Sequence, residues 1–105
     1  MSKISIDSLV EFKDTFVRKN LTNIPELQIN LVTLPAGDSL PKHNANANVR
    51  LLVLAGSLTV DLNGDVAELS VHEMAEAAEG TPMQIMNKSE GNTAFMVIKA
   101  PNPDL

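Results

Sequence analysis

The sequence predicts an all-β fold, and three observations carry that expectation. Several segments alternate apolar and polar residues with period 2, the pattern of strands that place one face in a core. Residues 63 and 64 are Asn-Gly, the dipeptide that favours a tight hairpin turn between two strands. The last apolar segment, FMVIK at residues 95–99, is closed by Pro101 and Pro103, which end strand pairing.

Taken in chain order, the elements begin at residues 7–13, DSLVEFK, where an Asp can cap one or two helical turns carrying Leu9, Val10 and Phe12. In ELQINLVTL, Leu27, Ile29 and Leu31 share the apolar face of a strand, and Gln28 and Asn30 share the polar one. The run VRLLVLA, residues 49–55, is apolar on both faces apart from Arg50. Val49, Leu51 and Val53 suit a core, which leaves Leu52 and Leu54 on the opposite side. Burying a leucine is worth roughly 1.5–3 kcal/mol, so that side calls for a cover. A second subunit is the expected cover, making the protein a homodimer; the alternative is the amino-terminal segment with Ile4, Ile6 and Phe12. In SLTVDLNGD, Leu58, Val60 and Leu62 alternate with Thr59 and Asp61 and lead into the Asn63-Gly64 turn and a following strand. Residues 73–79, EMAEAAE, are strong helix formers ending at Gly80, so local propensity alone favours a helix.

Composition narrows the function. At 105 residues the chain is expected to form a single domain spanning residues 1–105, small enough to gain from a partner. The formal net charge is −5 with the basic residues scattered, which disfavours nucleic acid. Cysteine is absent, removing disulfides, thiolate nucleophiles and thiolate metal ligands. Tyr and Trp are absent too, which removes phenolic acids and most stacking platforms for bases. No apolar run reaches the roughly 20 residues of a membrane span, and the amino terminus lacks the apolar stretch of a secretion signal, so a cytoplasmic protein without membrane contact is expected.

Two phrases, LPAGDSLPKH at residues 34–43 and LVLAGSLTVDLNG at residues 52–64, resemble the entry and exit of the first motif of small single-domain cupins. That motif runs Gly, five residues, His, one, His, three, Glu, six, Gly; here Gly37, His43 and Gly56 stand in that frame. In the frame of the second motif stand Gly80, Met83 and Asn87, with His72 at its first Gly and Ala78 at its Pro. The tail FMVIKAPNP also resembles the family's last strand, so the likeness covers nearly the whole chain. It implies a double-stranded β-helix, or jelly-roll barrel, with a short amino-terminal helical turn. A helix at residues 73–79 would break that barrel, so residues 74–78 are expected to form a short strand.

The resemblance also implies where a metal would sit. The family's two His and one Glu of the first motif and its His of the second fall on His43, Ala45, Val49 and Met83. Ala and Val offer no lone pair, so no metal and no other cofactor is expected. His43 with Met83 would make a soft pair for Cu(I), but methionine as core filling is the stronger reading. Asn44, Asn46 and Asn48 alternate away from the ligand side and fit a solvated loop, or the rim of a pocket. His72 fits an exposed turn.

The leading expectation is a metal-independent cupin that binds a small, largely apolar molecule, with Ala45, Val49 and Met83 as walls and His43 as the polar handle. Two alternatives stand beside it. One is an isomerase or lyase using His43 as acid or base. The other is a structural or interaction protein that kept the barrel and lost the site.

Overall fold

In the computed structural model of residues 1–105, nine strands and one helical turn form two antiparallel sheets facing each other. The larger sheet has the order β1 (Val17–Ile24), β2 (Leu27–Leu34), β9 (Thr93–Ala100), β4 (Asn48–Ala55) and β7 (Met74–Ala77). The smaller has the order β3 (His43–Asn44), β8 (Pro82–Met86), β5 (Leu58–Leu62) and β6 (Asp65–Leu69). This is the jelly-roll arrangement, and β7 replaces the helix that propensity favours at residues 73–79. Its residues pair with β4, Leu51 opposite Ala75 and Val49 opposite Ala77, so tertiary pairing overrides the local preference.

The core lies between the sheets at one end of the barrel. Val32, Leu34, Val53 and Phe95 from the larger sheet meet Leu58, Val60 and Leu69 from the smaller one. Alternation along β4 places Val49, Leu51 and Val53 inward as expected, and Leu52 opposite Met96 on the outer face. Leu54 sits at a bulge, where the register moves from Val53–Phe95 to Ala55–Ala94. Both leucines are half-buried.

β2 departs from the expectation. Its inward side carries Gln28, Asn30, Val32 and Leu34, while Leu27, Ile29 and Leu31 lie on the outer face. Gln28 and Asn30 are only 7% and 8% exposed, so residues of the polar face are the ones enclosed. Register explains the inversion: Val32 pairs with Phe95, a core residue, which fixes the parity of the whole strand. Leu31 is buried nonetheless. The amino-terminal segment is tied to this half of the outer face, where Thr33 Oγ1 donates to the Glu11 carbonyl at 2.8 Å and Lys19 Nζ to the Leu9 carbonyl at 2.9 Å.

At the amino terminus the helix is one turn, α1 (Ile6–Leu9), and it begins one residue before Asp7. Ser5, not Asp7, is the residue at its N-cap, and no side chain caps it. The hairpin is built as its dipeptide requires: Asn63 and Gly64 have φ of 54° and 91°, and Leu62 pairs with Asp65 across a two-residue loop. His72 is exposed in a turn with φ of 70°. No helix is long and apolar enough to cross a membrane.

Candidate functional site

The end of the barrel opposite the core is open. A cavity of about 310 Å³ enters there between the sheets. Its hydrocarbon wall comes from Val32 (β2), Val49 and Leu51 (β4), Val97 (β9), and Met83 and Ile85 (β8), with Leu40 and Phe16 at the sides. These strands supply the wall because each inward position beyond the core still faces the partner sheet, and nothing long enough reaches across to fill the space.

His43 also lines the cavity, but from the rim, where its side chain is exposed. Its Nδ1 lies 3.0 Å from the Pro41 carbonyl oxygen. A carbonyl can only accept, so Nδ1 donates this hydrogen bond and Nε2 is the ring nitrogen without a protein partner. In the β3–β8 pairing His43 stands directly opposite Met83, which brings two of the four carried-over cupin positions together. Val49 joins them in the wall. Ala45 is buried in the apolar cluster and does not reach the cavity surface.

The donor set at those four seats does not suit a metal ion. Only the His43 imidazole offers a nitrogen lone pair, opposed by a thioether and two aliphatic side chains. No group of three or more His, Cys, Asp or Glu side chains lies close enough together to share an ion.

Further polar groups complete the site, and of these the sequence flags only Asn46. Arg18 and Lys99 line the same cavity, with Asn30 and Asn46. All four are shared with an adjoining polar hollow that also takes Asn20, Asn23, Gln28 and Asp104. Of the three alternating asparagines, Asn46 therefore belongs to the pocket rim, whereas Asn48 accepts a hydrogen bond from the Glu79 backbone N–H at 3.0 Å. The polar residues of the larger sheet form a ladder. Asn20 donates to Asn30 Oδ1 at 2.9 Å, Asn30 to Gln28 Oε1 at 3.4 Å, and Gln28 to Asp104 Oδ2 at 2.8 Å. A bulge in β1 adds a further amide to this side: the register steps from Asn20–Asn30 to Thr22–Ile29, leaving Leu21 as the extra residue. That step turns both Asn20 and Asn23 toward the mouth, although three positions separate them.

Burial lowers the Lys99 ammonium below the ordinary lysine range; Asp104 opposes the shift and Arg18 adds to it. Parity along β9 could have found this residue. Phe95 and Val97 are inward, so Lys99 is inward as well. No comparable signal exists for Arg18, whose strand lacks an alternating apolar face.

The comparisons with known proteins agree with this architecture. An uncharacterized protein of Methanocaldococcus jannaschii, MJ0764, is 31% identical over 102 residues, covering 93% of this chain and 88% of that one. Its crystal structure, described as an RmlC-like cupin family protein with a double-stranded β-helix fold, superposes with a TM-score of 0.79 over 90% of both chains. An RmlC-like cupin from Desulfovibrio desulfuricans superposes with a TM-score of 0.83 at 24% identity, over 96% of this chain and 97% of that one. A cupin superfamily protein from Desulfitobacterium hafniense gives 0.84 at 17% identity, over 96% and 92%. No protein-family model matches the chain.

Proposed function

Because this chain belongs to the RmlC-like cupin family, we propose that it is a metal-independent member that binds a small, largely apolar molecule inside its barrel and works as a cytoplasmic homodimer. The observation that carries the binding reading is the open cavity of about 310 Å³ beside His43, walled by Val49, Met83 and neighbouring hydrocarbon. A barrel kept only as a scaffold would have its interior filled, because empty apolar space forfeits packing energy. Proton-transfer chemistry is less well supported. No carboxylate lines this cavity to pair with His43, and the chain has no tyrosine.

The test is a thermal-shift screen against small molecules with an apolar body and one hydrogen-bonding group. A true ligand at one hundred times its dissociation constant should stabilise the fold by about 2.7 kcal/mol, a rise of roughly 10 °C for a chain of this size. A broad screen without any stabilising compound would defeat the binding reading.

Dimerisation is supported by the outer face of the larger sheet. Leu52, Met96, Ile98 and Ile29 adjoin one another there across β4, β9 and β2, with Met74 and Ile24 exposed at 49% and 47% toward the sheet's two edges. The amino-terminal segment is fastened over Leu31 and Thr33, on the β1–β2 half, which leaves the β9–β4 half for a second copy. Sedimentation at micromolar concentration should give a dimer, and Leu52→Glu should give a monomer. A monomeric parent protein would refute this part of the proposal.

A further inference from the structure

We propose that the occupant of the cavity is a small organic acid, its carboxylate held at the barrel mouth by Arg18 and Lys99 and its hydrocarbon body seated among Val32, Leu51, Met83 and Ile85. This deepens the binding reading above and rests on it.

Charge placement is the first argument. The chain carries a net charge of −5, yet the only residues with a permanent or near-permanent charge lining the cavity are two cations. Of the six other cations, Lys13 and Lys19 both reach Glu11 at 3.0 Å and Arg50 reaches Glu76 at 3.2 Å, while Lys3, Lys42 and Lys88 are unpaired but do not line the cavity. Arg18 and Lys99 form no ion pair and donate no hydrogen bond to a protein group, although together they present eight N–H donors. Two like charges brought to one half-enclosed mouth repel each other, and an anion between them removes the conflict. The lowered Lys99 ammonium comes mainly from burial at this mouth, with Arg18 adding a smaller push in the same direction.

Asp104 supplies only part of that countercharge: it acts on Lys99 from the hollow they share but forms no ion pair with either cation. Its carboxylate accepts from Gln28 and lies in the outer hollow, outside the apolar cavity. It also sets the charge of the guest, because a dianion would be repelled by Asp104 more strongly than a monocarboxylate. The site has no helix amino terminus to add backbone donors for a phosphate. Asn30 and Asn46 stand beside the cations at the junction of the two spaces, where the Asn30 amide keeps a second N–H for a carboxylate oxygen. The wall behind them is hydrocarbon. At the ~30 Å³ that one water occupies in the liquid, the cavity holds on the order of ten non-hydrogen atoms. That is the size of a short straight-chain or single-ring acid.

The test uses matched pairs in the full-length protein: straight-chain acids of four to eight carbons and single-ring acids, each against its primary amide, titrated calorimetrically. The acids should bind about tenfold more tightly than their amides. The difference should shrink as salt is raised from about 20 mM to about 0.5 M. Arg18→Gln and Lys99→Gln should each bring the ratio of acid to amide affinity close to one. Neither side chain is bonded to the protein, so both variants should melt within a few degrees of the parent. Acids and amides binding equally would overturn the carboxylate assignment while leaving the apolar cavity reading intact. Binding of neither class would overturn both, and inorganic phosphate binding as tightly as the acids would overturn the role given to the hydrocarbon body.

Discussion

Gly56→Ala should be among the most damaging single substitutions in this protein, lowering stability by about 2–4 kcal/mol and the melting temperature by more than about 10 °C. Two independent effects add. Gly56 has φ of +76°, a conformation that costs a side-chain-bearing residue about 1–2 kcal/mol. A Cβ there would also lie 2.5 Å from the Asn92 carbonyl oxygen and 2.8 Å from Thr93 Oγ1. Neither neighbour can retreat cheaply. The Asn92 oxygen is backbone, and Thr93 Oγ1 donates to the Ser57 carbonyl at 2.6 Å. Gly80→Ala provides the control, since Gly80 has φ of +89° with open space around the missing Cβ. It should lose only the conformational part, about 1–2 kcal/mol. Chemical denaturation of the two variants measures the difference; equal losses would show that the close approach at Gly56 is relieved by movement.

Asn87→Asp should be at least as damaging, even though it changes almost no volume. Asn87 is 1% exposed and uses its whole amide. Nδ2 donates to the carbonyls of Leu34 at 2.9 Å and Gly91 at 2.8 Å, while Oδ1 accepts from the Ser89 N–H at 3.0 Å and the Ser89 hydroxyl at 2.6 Å. Its backbone closes the loop further, its carbonyl accepting from Gly37 N–H and its own N–H donating to the Asp38 carbonyl, each at 2.8 Å. The two cupin motifs are thereby joined through one residue. A carboxylate there would set oxygen against two carbonyl oxygens and bury a charge, a loss of about 3 kcal/mol or more. Burial and those carbonyls raise the folded-state pKa of the new carboxyl above its unfolded value of about 3.9. The folded state then binds the extra proton, so stability should fall as pH rises through that window and recover in acid, when the neutral group can donate one hydrogen bond. Denaturation midpoints of parent and variant between pH 4 and 7 would test this. A constant gap across that range would mean that the loop has opened to water.

How legible these features were depended on whether the local pattern matched the environment that decides it. Leu58, Val60, Val49, Leu51 and Val53 were readable as inward because their apolar face is also the core face. The Asn63-Gly64 turn was readable because its geometry depends on those two residues alone. In β2 the same rule misled: Leu27 and Ile29 form the apolar face, but β2 is apolar on its outer side and amide-lined at the mouth, and only its pairing with Phe95 reveals which side faces in. The likeness to cupins placed His43, Val49 and Met83 beside the barrel interior, because motif spacing sets strand register. It did not point to Arg18, which belongs to β1, outside both motifs; Asn46 was readable only as one of three asparagines for the rim, and the turn between β3 and β4 decides among them.

The position of β9 in the larger sheet governs how this chain must fold. It lies between β2 and β4, pairing Leu34 with Thr93 on one side and Asn48 with Ala100 on the other. Until it docks, the sheet exists only as two separate ribbons, β1 with β2 and β4 with β7, each with an open edge. Closing such distant segments is slow, on the order of milliseconds to seconds for β topologies. The order of events also bears on recognition. Arg18 lies on the first ribbon and Lys99 on β9, so the two cations meet only once β9 has paired with β2.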